Sequence, residues 1–241
     1  MRDLGNNMLR KKRGNMNFKD KIVLITGAGR GYGREIAKAF ALEGARLALN
    51  DISPQNLKSL VKEIEEKGGE AKVYVQDIAK KVPVQGLVMH VEDDFKKVDI
   101  LINYSAVEPK KTLLEMDEWD WQRTLLVNLS APFLMTQSVG RMMKENGGGV
   151  IVNLIPLAGR WEQAGGTAYL SSTMGLIGLT HQAARELAEY HVRVHAVATG
   201  IPQLHQAEEG YPSQFIEAVL YLCDQKNANL YGQIINTEQG F

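Results

Sequence analysis

Cysteine is nearly missing from this chain: Cys223 is the only one in 241 residues. A single thiol excludes an intrachain disulfide framework and any cysteine-rich metal site. It leaves Cys223 to be read as a small buried apolar residue. Charge of one sign is also lacking, because Lys+Arg and Asp+Glu both number 28 and the formal net charge is zero. Nothing global therefore favours nucleic acid or an anionic membrane as a partner. No apolar run approaches the ~18 residues of a membrane-spanning helix. His90, His181, His191, His195 and His205 lack metal spacing, such as two on one helix face beside an acid. Repeats, low-complexity tracts and linkers are lacking too, so one domain with a sizeable core is expected.

Residues 1–17 stand apart, with Arg10-Lys11-Lys12-Arg13 set among glycine and asparagine and no apolar face. Met8-Leu9 is far too short for the core of a secretory signal. The expectation is a basic flexible extension, or a start placed too early, since Met16 stands just before Phe18. A basic docking arm is the other reading. Without a leader or a span, a cytoplasmic location is expected.

What is present centres on Thr26-Gly27-Ala28-Gly29-Arg30-Gly31-Tyr32-Gly33. The apolar run Ile22-Val23-Leu24-Ile25 leads in, and an amphipathic stretch from Arg34 to Glu43 leads out. Strand, glycine turn and helix in that order form a dinucleotide-binding pattern. Glycines permit a tight turn, close approach to a pyrophosphate, and close packing of helix on strand. The first N–H groups of the helix, with its dipole, then hold the anion.

Downstream, apolar strands alternate with helices. Strands are expected at 45–50, 71–76, 98–103, 150–154, 192–198 and 233–237. Helices are expected at 54–67, 80–97, 117–145, 164–190 and 214–224. Ser53 and Pro54 should start the second helix. Pro83 and Gly86 should disturb the third. This alternation means an α/β fold, a doubly wound parallel sheet covered on both faces. Ligands in such sheets sit at the carboxyl ends of the strands. Asp51 closes the second strand, where it can accept hydrogen bonds from ribose hydroxyls and would repel a 2′-phosphate. Arg30 pulls the other way, but an unscreened carboxylate facing a phosphate costs more than an unused arginine, so NAD is favoured over NADP. Asp77 and Asn103 end the third and fourth strands beside it.

Together these pieces resemble the short-chain dehydrogenase/reductase family over residues 18–241. The matching residues are the glycine turn, Asp51, Gln76-Asp77-Ile78, Val98 to Asn103, Asn128, Val150 to Asn153, Ala168-Tyr169 and Tyr231 to Ile235. The resemblance implies a Rossmann-type fold and hydride transfer between a nicotinamide cofactor and an alcohol or carbonyl. It implies cofactor contacts at Thr26, Gly27, Arg30, Gly31, Tyr32, Gly33, Asp51, Asp77, Ile78, Asn103, Tyr169 and Gly200. It also implies dimers or tetramers built through the helices near 117–145 and 164–190.

The chemistry departs from the family's pattern, a relay of asparagine, serine, tyrosine and lysine. Tyr169 and Asn128 hold two of the four positions. The serine position is Pro156, and the lysine position, four residues past the tyrosine on the same helix face, is Thr173. A tyrosine hydroxyl titrates near ~10. A cation ~4 Å away at an effective dielectric of ~20 offers about 4 kcal/mol, at most about three pKa units. Threonine supplies no charge, and proline at 156 removes both a hydroxyl and an N–H. Tyr104-Ser105-Ala106 puts bulk where backbone should approach the cofactor. The interval from Gly200 to Gly232 is short for a substrate lid. Ser105, Lys110, Lys111 and Arg160 are candidate replacements, each read first as solvated surface. Trp119, Trp121, Tyr231 and Phe241 read as core or interface filler. Two readings stay open: a weak oxidoreductase using Tyr169 and Asn128, or a non-catalytic binding or partner subunit.

Overall fold

A computed structural model describes residues 16–104, 106–156, 165–199 and 213–237. The N-terminal Arg10–Arg13 cluster, Ser105, Arg160, Gly200, the segment 201–212 and residues 238–241 lie outside it. So do the side chains of Pro156 and Thr199.

Seven parallel strands form one sheet in the order β3-β2-β1-β4-β5-β6-β7. They are β1 Ile22–Ile25, β2 Arg46–Asp51, β3 Glu70–Val75, β4 Ile100–Asn103, β5 Gly149–Pro156, β6 Val192–Thr199 and β7 Ile234–Asn236. The order reverses between β1 and β4, which opens a crevice at the strand ends where α/β sheets take ligands. The helices are α1 Gly31–Leu42, α2 Pro54–Glu65, α3 Lys81–Phe95, α4 Glu118–Leu125, α5 Ala131–Glu145, α6 Thr167–Leu187 and α7 Ser213–Cys223.

Both faces of the sheet are covered. Phe40 of α1, Leu57 and Leu60 of α2, and Phe215 and Val219 of α7 pack with Val23, Ile25, Leu47 and Leu49. On the other face Val84 and Leu87 of α3, and Met135 and Val139 of α5, pack with Ile22, Leu24, Leu101 and Ile151. Burial on both sides explains why β1 and β4 read as unbroken apolar runs.

Three local expectations need correction. Pro83 does not break α3, because it falls in the first turn, where its missing N–H has no intrahelical partner to lose. Ser53 stands at the cap position of α2, but its side chain makes no cap bond. Its N–H instead donates to Asp51 Oδ1 at 2.9 Å. The helix expected over 117–145 is interrupted by a π turn at Leu126–Ser130. There the Ala131 N–H donates to the Leu126 carbonyl. Pro132 follows and has no N–H to return to the carbonyl of Asn128. π turns of this kind cluster at functional sites.

Candidate active site

The crevice holds a cavity of about 710 Å³. Gly27, Arg30, Asp51, Asp77 and Ile78 line it, as the sequence leads one to expect. The turn is built for it. Gly27 and Gly31 have φ of 63° and 60°, which non-glycine residues rarely adopt. The Asp51 carboxylate is held in place by two amides, with the Gly29 N–H donating to Oδ2 at 3.0 Å and the Ser53 N–H to Oδ1. A side chain at Gly29 would stand 2.9 Å from that same Oδ2. The donor and acceptor set therefore fits the adenosine half of a dinucleotide: a fixed carboxylate, a glycine turn and a helix N-terminus.

Other expected cofactor residues face elsewhere. Thr26 Oγ1 accepts from the Tyr104 N–H at 3.0 Å and donates to the Ile102 carbonyl at 3.4 Å, tying β1 to β4. Tyr32 is fully buried, its ring 4.2 Å from that of Phe215 and edge-on to Tyr104. Gly33 serves packing, since a Cβ there would meet the Gly27 carbonyl at 2.4 Å and the Tyr104 ring at 2.7 Å. Asn103 turns into the core, where Nδ2 donates to Asn153 Oδ1 at 2.8 Å. Asn153 in turn donates to Thr180 Oγ1, so the three form a buried polar chain between sheet and helices.

Some lining residues were not legible in the sequence. Asn50, Tyr104, Ala106 and Val107 join from the strand ends. Trp119 and Arg123 of α4 join from the far side. Trp119 is not core: it is 65% exposed, with the Arg123 guanidinium 5.1 Å from its ring centre. Its position followed from where α4 packs, which no local pattern announces.

Tyr169 does not line this cavity and is 2% exposed, in the cluster that also holds Tyr32, Tyr104 and Phe215. Thr173 is buried, and its hydroxyl donates to the Tyr169 carbonyl at 2.9 Å. Ser172 donates to the same carbonyl at 2.7 Å. Asn128, in the π turn, accepts from the Val107 N–H and donates to the Val107 carbonyl and to Ser172 Oγ. Its side chain therefore clamps the loop after β4 onto α6. The Lys111 ammonium is engaged by Asp117 and Asp120 at 2.5 and 2.6 Å. No group of three metal-ligating residues occurs among the described residues, and no described helix is long and apolar enough to cross a membrane.

A model of the short chain dehydrogenases matches residues 21–209. The chain is a member of the short-chain dehydrogenase family. A 3-oxoacyl-[acyl-carrier-protein] reductase of Thermotoga maritima is 32% identical, covering 93% of this chain and 99% of its own. An uncharacterized oxidoreductase of the same organism is 39% identical over 188 residues, 78% of this chain and 74% of its own. Among solved structures, a 7α-hydroxysteroid dehydrogenase complexed with NADH superposes with a TM-score of 0.84 at 29% identity, covering 92% of this chain and 94% of the other. A hydroxysteroid dehydrogenase from Escherichia coli does so with 0.84 at 29%, covering 94% and 99%. The chain thus shares its fold and ancestry with nicotinamide-dependent oxidoreductases, a family that binds NAD(H) or NADP(H).

Proposed function

We propose that this family member binds NAD(H) in preference to NADP(H) and turns over weakly or not at all, acting as a binding or partner subunit. The observation that carries the cofactor preference is the Asp51 carboxylate at the cavity wall, fixed by the amides of Gly29 and Ser53. A fixed carboxylate suits free ribose hydroxyls and repels a 2′-phosphate. Arg30 shares that wall and is the countervailing feature. The nicotinamide, when bound, would give or take a hydride at an alcohol or carbonyl carbon. Asn128, by clamping Val107, would shape the cavity beside it.

The case for weak turnover rests on Thr173. A hydroxyl bound to its own helix carbonyl supplies none of the positive charge that would lower a phenol from its usual pKa of ~10 towards neutrality. Pro156 cannot offer the hydroxyl that would steady a substrate oxygen, a loss worth roughly 10²–10³ in rate. The alternative, a slow oxidoreductase on alcohols or carbonyls with a replacement partner for Tyr169, keeps the same cofactor. Assembly as a homodimer or homotetramer through the helices near 117–145 and 164–190 is part of the proposal. Leu126, Phe133 and Met174 of these helices are 47, 44 and 43% exposed. A cytoplasmic location is proposed with it.

Titrating the chain with NADH and NADPH by fluorescence tests the cofactor claim, with saturation by NADH at lower concentration expected. No saturation by either up to millimolar would remove it. A panel of alcohols and ketones tests turnover. Robust activity that is lost in Tyr169→Phe would establish the alternative.

A further inference from the structure

The starts of β1, β4, β5 and β6 enclose a second cleft of about 570 Å³, on the opposite edge of the sheet from the cofactor cavity. Lys21, Lys97, Asp99 and Arg193 line it, with the glycine turn at 147–149 as one wall. Arg193 is 5% exposed. A buried cation ordinarily has a carboxylate partner, yet among the described residues Arg193 has none. Its Nη1 donates to the carbonyls of Leu222 and Asn227, at 2.9 and 3.1 Å. Those two bonds use both Nη1 hydrogens and tie down the end of α7. Nε and Nη2 donate to no described residue, and neither is sealed in the interior. They form the edge of the guanidinium that grips two oxygens at once.

Two lysines line the same cleft. Asp99 Oδ1 accepts from Lys21 at 3.4 Å and from Lys97 at 3.0 Å, while Oδ2 takes the Ile22 N–H. Each ammonium carries three N–H groups, so both keep donors for a further acceptor. Lys21, Lys97 and Arg193 line the cleft against the single lining carboxylate of Asp99, with Asp224 acting on Arg193 from the end of α7. Burial also pulls the Arg193 pKa below its ordinary value, a cost that a bound anion would offset.

We infer that this cleft binds a small oxyanion of the phosphate class, as inorganic phosphate or a phosphate monoester, with the Nε–Nη2 edge of Arg193 as anchor and Lys21 and Lys97 as flanking donors. The simpler account, in which Arg193 only secures α7, explains Nη1 and leaves the other edge unused. The neighbouring Cys223 thiol is buried, which pushes it up to about 12. The site does not depend on the cofactor reading, since the two clefts lie at opposite strand ends.

Calorimetry on the full chain at neutral pH tests it, using sodium phosphate and glycerol phosphate against sodium chloride at matched ionic strength. Saturable binding of at least one phosphate is expected, and the tighter of the two identifies the source. Arg193→Gln should abolish it, but that variant also loses the tie to α7. The decisive variant is therefore Lys21→Gln with Lys97→Gln, whose side chains are 31 and 45% exposed. It should weaken phosphate about tenfold or more while NADH affinity stays unchanged. No saturable heat in the natural chain, or equal affinity in the double variant, would overturn the inference.

Discussion

Asp51 and Thr173 carry opposite messages about this protein. At Asp51 the side chain the family reading requires is present, and the backbone holds it in place. Replacing it by Asn keeps an acceptor for the Gly29 or Ser53 amide and removes the charge that repels a 2′-phosphate. Asp51→Asn should therefore narrow the preference for NADH over NADPH about tenfold, the equivalent of about 1.4 kcal/mol. The ratio of the two dissociation constants measures it, and an unchanged ratio would leave Arg30 as the group that decides. At Thr173, where the proposed tetrad would need a lysine, the hydroxyl is spent on a helix carbonyl. Thr173→Lys combined with Pro156→Ser should raise turnover by roughly 10² or more if the rest of the pocket is intact. Tyr169→Phe in that background should erase the gain. If the double variant stays as slow as the natural chain, the defect lies in the short interval before Gly232 instead.

At the scale of the element, the turn into α1 has the least freedom. The approach of Gly33 to the Gly27 carbonyl and the Tyr104 ring leaves no volume for a methyl group. Gly33→Ala must push backbone apart, at a cost of about 1–3 kcal/mol or more. A lower thermal midpoint and weaker NADH binding are expected together, because the same turn serves packing and the cofactor. An unperturbed midpoint would mean that α1 can slide away from β1. This element was plain in the sequence, since a strand, four spaced glycines and an amphipathic run are all local. The π turn around Asn128 was not. Its one local sign is Pro132, and an alternative hydrogen-bond pattern in a long helix has no apolar period of its own. Nor could local pattern tell that Thr26, Tyr32 and Asn103, though beside the crevice in sequence, turn their side chains into ties and core. Side-chain direction at a strand end depends on which strand lies alongside.

The whole molecule adds two properties. The first is its response to acid. His195 lies fully buried in β6, and its Nδ1 accepts from the Gln233 N–H at 3.2 Å. The neutral ring must then carry its proton on Nε2, which has no partner among the described residues. Burial first, and then the nearby Arg193, lowers its pKa from 6.5 to about 3. The unfolded chain therefore takes up a proton that the folded one refuses. His195 adds its full stability above about pH 6.5 and loses it progressively as pH falls towards 3. At pH 5 the loss from this group should be about 2 kcal/mol. Denaturant titrations at pH 7 and pH 5 should register it, and His195→Asn should flatten the slope. The second is the proposed assembly. The groove between α5 and α6, with Phe133 and Tyr190 in its walls, leaves apolar surface outward. Light scattering should give a dimer or tetramer that Phe133→Glu dissociates. A natural chain that runs as a monomer at micromolar concentration would end that proposal.

The sequence by itself determined the parallel α/β sheet, the glycine turn, the acidic end of β2, and a proline and a threonine at the two positions the family resemblance assigns to serine and lysine. All of these are written in local period, spacing and residue type. Only the tertiary structure decided which named residues meet in one cavity, that Trp119 and Arg123 join it from α4, that Tyr169 is buried in the same core cluster as Tyr104, and that Arg193 lines a second cleft. Those facts depend on how separate elements pack, and packing brings together residues far apart in the chain whose local patterns carry no trace of one another.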